Sequence, residues 1–190
     1  MNREMTLQRR LAVYGPGLIF FSLLELHLSV KSPLPAPDFL LLFPALAALW
    51  TPGYDGFVLG LTAGFIRDFA AGRGYGSGML AGMILGLLGN RLARDGWKNY
   101  LIWGGLLVLG GTIIHDGVMT LFGWLIPLSQ GSTVLSILLK TYFLRLPGQL
   151  LANLAGALIL SAYLFLAFYV PGSRKAEPDL TATAKEVIDG

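Results

Sequence analysis

Residues 11–30 read LAVYGPGLIFFSLLELHLSV, an apolar run of twenty residues whose ionisable side chains, tyrosine aside, are Glu25 and His27. An α-helix needs about 20 predominantly apolar residues to cross a bilayer. The whole 190-residue chain has the same character, since 54% of its residues are hydrophobic, 13% are charged and its mean hydropathy is +0.64. A soluble domain of this size could not bury so much apolar surface. The composition therefore predicts an integral membrane protein.

Five further apolar runs follow, separated by turns and polar segments. We predict one transmembrane domain over residues 1–170, with spans at about 11–30, 38–52, 56–71, 77–93, 100–126 and 149–170. Asp38 is a good helix N-cap for the second span. The polar residues 171–190 are predicted to form a disordered cytoplasmic tail.

Residues 133–146, TVLSILLKTYFLRL, differ from the spans. Thr133, Ser136 and Lys140 recur at helical spacing against leucine, isoleucine and aromatic residues. This pattern is typical of an amphipathic helix lying at the membrane interface. Pro147 and Gly148 are expected to end that helix before the last span begins.

The basic residues predict the orientation of the chain. With six spans and a cytoplasmic N-terminus, nine basic residues lie inside and five outside, as the positive-inside rule requires. The inside set is Arg3, Arg9, Arg10, Arg91, Arg94, Lys98, Arg174, Lys175 and Lys185, and the outside set is Lys31, Arg67, Arg73, Lys140 and Arg145. If the short run 38–52 were re-entrant, each side would hold seven. We therefore predict an all-α bundle of six transmembrane helices with both termini in the cytoplasm.

Several function classes are excluded by composition. The chain has no cysteine, which rules out disulfides and thiolate chemistry. Two histidines make a zinc site improbable, and the scattered basic residues form no stripe for nucleic acid. The sequence GRGYGSG (72–78) lacks the βαβ unit of a dinucleotide site. We expect no catalytic residue, no cofactor and no metal, and hence no enzyme.

Glycines at four-residue spacing form faces on two predicted spans. These are Gly60 and Gly64 on the third span and Gly78, Gly82 and Gly86 on the fourth. Small residues let helix backbones approach closely in lipid. The faces predict either packing within the chain or docking of another protein's transmembrane helix.

Polar residues at membrane depth form a second signal, an outer polar cluster in the predicted topology. Its members are Glu25, His27, Asp38, Arg67, His115 and Asp116, with Asp68 at similar depth. Charges there cost about 2.5–3.5 kcal/mol each on insertion scales, so they need partners or water. Sequence neighbours do not face each other on a helix, so pairing should run between helices, for example from Glu25 or Asp116 to Arg67. The cluster predicts an internal ion-pair network, a partner-binding surface or an outward-opening ligand pocket.

Two segments together resemble a known family. PDFLLLFPALAAL (37–49) is followed, after a short turn, by GLTAGFIRDFAAGRGYGSGMLAGMILGLLGNRL (60–92). This pattern resembles MreD, the bacterial rod-shape-determining membrane protein family. The matching features are a Pro-Asp pair opening the second helix, a glycine face with an aspartate on the third, and basic residues ending the fourth. They fall here on Pro37, Asp38, Gly60, Gly64, Asp68, Arg91 and Arg94.

The resemblance implies a non-catalytic scaffold of the elongasome in the bacterial inner membrane. Its expected partners are an MreC-like single-span protein and the complex of RodA with a class B penicillin-binding protein, with MreB acting indirectly. Partner contact would use the glycine faces and Asp68. The family also looks like the substrate-binding subunits of energy-coupling-factor vitamin transporters, which share a six-helix plan. Such a transporter subunit is the alternative function, and the outer polar cluster favours it.

Overall fold

The computed structural model describes residues 6–51, 53–70, 76–93, 96–125 and 134–168. Every regular element in these ranges is an α-helix, so the all-helical fold class is confirmed for them. The helices are α1 Leu7–Lys31, α2 Phe39–Trp50, α3 Asp55–Ala70, α4 Ser77–Leu92, α5 Trp97–Leu125 and α6 Leu135–Phe168. The predicted disordered tail, 171–190, lies outside the described residues.

Three helices of the described ranges are long and apolar enough to cross a membrane. They are α1, α6 and the stretch Trp97–Phe122 of α5. Helix α2 has 12 residues, and α3 and α4 have 16 each. At ~1.5 Å per residue these measure roughly 18 Å and 24 Å, against ~30 Å of hydrocarbon. The lengths are consistent with a membrane protein in which three long helices accompany three short ones.

Helix α2 is the centre of the fold. All of its residues are buried, and it packs against each of the other five helices. Asp38 caps its first turn, accepting a hydrogen bond from the Leu41 N–H at 2.9 Å, as the sequence predicts. Because protein surrounds α2 on every side, its short length is no obstacle to placing it within a bilayer.

Helices α3 and α4 pack through their glycines. Gly60 lies against the carbonyl of Gly82, and Gly64 lies against the backbone of Gly78. A third close approach joins Gly56, a glycine that the sequence did not single out, to Gly86. A Cβ atom at Gly56, Gly60, Gly64, Gly82 or Gly86 would overlap the backbone of the opposite helix, and one at Gly78 would overlap the Asp68 carboxylate. The glycine faces therefore hold two antiparallel helices at a distance that no other residue allows.

Helix α6 departs from the prediction. Residues 135–168 form one continuous helix, so the expected end at Pro147 and Gly148 is wrong. Proline removes one hydrogen bond from a helix, but α5 holds α6 on both sides of it. The Tyr142 hydroxyl donates to the Ile113 carbonyl at 3.0 Å, and Asn153 donates to Thr112 at 2.8 Å. These contacts offset the missing bond.

Consecutive helices alternate in direction, so the bundle has two distinct ends. At one end, Arg10 near the start of α1 pairs with Asp55 at the start of α3 at 3.2 Å. There, too, Arg9 donates to the Ala167 carbonyl at the end of α6 at 2.9 Å. The opposite end, called here the Arg67 end, collects the end of α3 and the beginnings of α2 and α4. The polar residues at membrane depth lie at that end.

Candidate functional site

Five of the six residues of the predicted outer polar cluster meet at the Arg67 end. They are Glu25 from α1, Asp38 before α2, Arg67 from α3, and His115 and Asp116 from α5. His27 does not join them, because its side chain is exposed on α1. The five residues are called the Arg67 cluster below.

Arg67 is the hub of this cluster. Its guanidinium contacts the Asp38 carboxylate and lies 3.7 Å from Glu25 Oε1. A second guanidinium nitrogen lies 2.8 Å from Nε2 of His115. Arg67 thus links three elements, and the predicted pairing of Glu25 with Arg67 across helices is present. The sequence did not predict its pairing with Asp38.

The two carboxylates beside Arg67 also hold the start of α2. Asp38 accepts from the Leu41 N–H, and Glu25 Oε2 accepts from the Leu40 N–H at 2.9 Å. The first N–H groups of a helix have no partner within the helix, and the positive end of its dipole favours negative charge. Part of the cluster is therefore the cap of the central helix.

His115 connects Arg67 to Asp116. An arginine can only donate, so Nε2 of His115 accepts from Arg67. The proton is then on Nδ1, which donates to Asp116 Oδ1 at 3.1 Å. The expectation that the neighbours His115 and Asp116 would not pair is wrong. With Nε2 fixed by Arg67, the imidazole presents Nδ1 to the adjacent short carboxylate.

A chain of buried amides and hydroxyls continues inward from the cluster. The Asn153 carbonyl accepts from the Asp38 N–H at 2.8 Å, and its amide group donates to Thr112. Gln149 donates to the same Asn153 carbonyl at 3.2 Å. Sequence reasoning missed these residues, although a lone Asn and Gln within an apolar run was an available signal.

Asp68 and the glycines are occupied within the chain. The Asp68 carboxylate accepts from the Gly78 N–H at 2.9 and 3.0 Å and from the Met79 N–H at 3.2 Å, capping α4. Its side chain is 5% exposed. Gly60, Gly64, Gly78, Gly82 and Gly86 are buried between α3 and α4. A partner helix could reach these faces only by separating the two helices.

An open cavity of about 900 Å³ adjoins the Arg67 cluster. Its walls come from α1, α3, α5 and the first half of α6, and its lining includes all five cluster residues. This volume falls within the ~300–1,000 Å³ typical of small-molecule sites.

Three members of the cluster have the chemistry of metal ligands. The donor atoms of Asp38, His115 and Asp116 lie within 4.8 Å of one another. Arg67, however, contacts the Asp38 carboxylate and donates a hydrogen bond to Nε2 of His115, so that neither group is free to bind a metal. A guanidinium already supplies the positive charge that a metal would bring, so these residues do not fit a metal ion.

Comparisons with known proteins identify no relative. No family model, no curated protein and no solved structure matches the chain.

Proposed function

We propose that this chain is a non-catalytic membrane scaffold of the elongasome, resembling MreD. One observation carries the proposal. The segment 37–92, which bears the resemblance, includes the central helix α2 and the closely packed pair α3 and α4. Asp38 caps the central helix α2, and Asp68 caps α4. Gly60 and Gly64 allow α3 to pack closely on α4. Residues that match a family motif and build its core support a shared architecture.

The proposed setting is the bacterial inner membrane, crossed six times with both termini in the cytoplasm. The alternation of helix directions and the excess of basic residues on one side support this topology. The Arg67 end would then face outward, where an MreC-like protein has its periplasmic domain. RodA and a class B penicillin-binding protein would join through that partner, and MreB would act indirectly.

A scaffold without catalysis agrees with the state of His115. Both nitrogens of its ring are engaged, one by Arg67 and the other by Asp116. A histidine that acts as a general base needs a free nitrogen within reach of the group it deprotonates. His115 has none to offer a hydroxyl or a water.

With α3 and α4 packed on each other, we place the partner contact on α5. A Cβ atom at Gly110 would meet nothing within 4 Å, and Leu106 and Ile114, one turn before and after, are exposed. Gly110 lies near the middle of α5, where a crossing helix could approach the backbone closely.

Co-purification tests this function. The tagged full-length chain is extracted in mild detergent and analysed for an MreC-like protein of the same organism. We expect the pair to co-purify, and Gly110→Leu to reduce recovery of the partner at least tenfold. Gly15→Leu is the matched control, since Gly15 is also open but lies on α1. If wild-type chain recovers no MreC-like partner, the scaffold function is wrong, whereas recovery unaffected by Gly110→Leu moves the interface off α5.

The cavity favours a second candidate, a substrate-binding subunit of an energy-coupling-factor-type vitamin transporter. A pocket of about 900 Å³ at the Arg67 end could capture a ligand from outside. Such a subunit would co-purify with an ATP-hydrolysing coupling module, and cells lacking the chain would lose uptake of one vitamin. Recovery of that module in place of the MreC-like protein decides for this candidate.

A further inference from the structure

Four of the five described hydroxyl groups that line the cavity donate their protons to backbone carbonyls, and the fifth is that of Ser29. Three of them donate to the carbonyl four residues earlier in the same helix, at 2.6, 2.7 and 2.9 Å. They belong to Ser22, Thr120 and Thr141. The Tyr142 hydroxyl donates to the Ile113 carbonyl of α5. A hydroxyl has one proton and two lone pairs, so all four oxygens remain acceptors.

The carboxylates add to this acceptor surface. Asp116 faces the cavity with a side chain 31% exposed, and among the described side chains its carboxylate accepts a hydrogen bond from His115. Arg67 is held by Asp38 and Glu25. Arg145 also lines the cavity, and it is exposed. Four carboxylates and two guanidiniums from the described ranges line the cavity. Asp68 is engaged by the first N–H groups of α4, so Asp116 is the partly exposed carboxylate with no guanidinium contact among the described residues.

Most of the remaining lining residues are apolar. Leu23 and Leu26 come from α1, Met119 from α5 and Leu138 from α6. A cavity of this kind suits a molecule with one polar end and one apolar body.

We propose that the cavity binds an amphiphilic organic cation, whose ammonium group donates to Asp116 and to the surrounding hydroxyl oxygens. An ammonium offers only donors and so complements a wall of acceptors. Its charge pairs with the Asp116 carboxylate, which makes no guanidinium contact among the described residues. The apolar body lies against the leucines and Met119. This binding site goes beyond the scaffold role and does not depend on which partner protein the chain has.

Equilibrium dialysis of the purified full-length chain in an uncharged detergent tests the site. The probes are phenethylammonium, its neutral analogue 3-phenylpropanol and the anion 3-phenylpropionate. We expect phenethylammonium to bind at least tenfold more tightly than either analogue. Equal or tighter binding of the anion would assign the site to Arg145 and overturn the proposal, as would the absence of ammonium binding at millimolar concentration.

Substitutions locate the binding group. Asp116→Asn keeps an oxygen for His115 but removes the charge, and should weaken phenethylammonium binding at least tenfold. Thr141→Val removes one acceptor and should weaken it severalfold. Asp55→Asn is the control, since Asp55 lies at the opposite end of the bundle and should leave binding unchanged. Unaltered binding in both Asp116→Asn and Thr141→Val contradicts the proposal. The readout involves no partner protein, so this result and that of co-purification are independent.

Discussion

The guanidinium of Arg67 on α3 contacts the carboxylate of Asp38, the residue that caps the central helix α2. One ion pair therefore joins the position of α3 to the start of α2. Breaking a buried pair by removing one partner costs about 3–5 kcal/mol, because the other charge stays buried.

Arg67→Ala should accordingly lower the free energy of unfolding by about 3–5 kcal/mol, since it leaves the carboxylates of Asp38 and Glu25 without their guanidinium partner. Adding Asp38→Asn to this variant should restore part of the loss by removing one stranded charge. Thermal unfolding in detergent, followed by tryptophan fluorescence, measures both effects. Arg91→Ala, at an exposed position on α4, is the control. If Arg67→Ala is as stable as that control, the ion pairs of Arg67 do not stabilise the fold.

A second prediction concerns the contact between α3 and α4. Gly60→Ala places a methyl group against the Gly82 carbonyl and should destabilise the protein by about 1–3 kcal/mol through overpacking. Gly110→Ala on α5 is the matched control. Because space around Gly110 is open, helix propensity alone should make that variant about 1 kcal/mol more stable. Detergent unfolding curves of the two variants should therefore shift in opposite directions, and a shared direction would contradict the packing described.

Asp68 gives a third prediction, on local structure. Asp68→Ala removes the acceptor for the Gly78 and Met79 N–H groups, and loss of a helix cap costs about 0.5–2 kcal/mol. Hydrogen exchange at the start of α4 should become at least severalfold faster. Asp68→Asn retains an oxygen and should show a smaller change. Exchange that stays slow in Asp68→Ala would mean that another group caps α4.

The buried pair of Asn153 and Thr112 yields a fourth prediction. Their hydrogen bond, 2.8 Å long, ties α6 to α5, and Asn153 also accepts from the Asp38 N–H. Asn153→Ala leaves buried groups unsatisfied at about 1–3 kcal/mol each, whereas Thr112→Val should cost less. A double-mutant cycle on unfolding free energies should give a coupling above about 0.5 kcal/mol. Additive effects would show that the two side chains act independently.

Sequence reasoning succeeded where the signal was local. The cap at Asp38 follows from residue type and position, and the pairing of Glu25 with Arg67 follows from the cost of a lone charge in lipid. Glycines at four-residue spacing point to close helix packing whatever their partner.

Other features depend on tertiary placement, which periodicity could not supply. Helix α2 is apolar all round, like most membrane helices, so its pattern does not reveal that it is central. The continuity of α6 through Pro147 rests on anchors to α5 that lie on both sides of the proline. The sequence of α3 suggested that Asp68 was available to a partner. In the structure α4 packs on α3 and brings the Gly78 N–H to Asp68, a contact that the pattern of neither helix predicts.

The complete burial of α2 has a consequence for genetics. A survey of single substitutions should find residues 39–50 the least tolerant stretch of the chain, even though the proposed partner surface lies on α5 and Leu40 is the one residue of the stretch that lines the cavity. Variants there should vanish from the membrane through degradation and not persist as inactive protein. Abundance therefore has to be measured beside phenotype before any residue of this stretch is assigned a role in cell physiology.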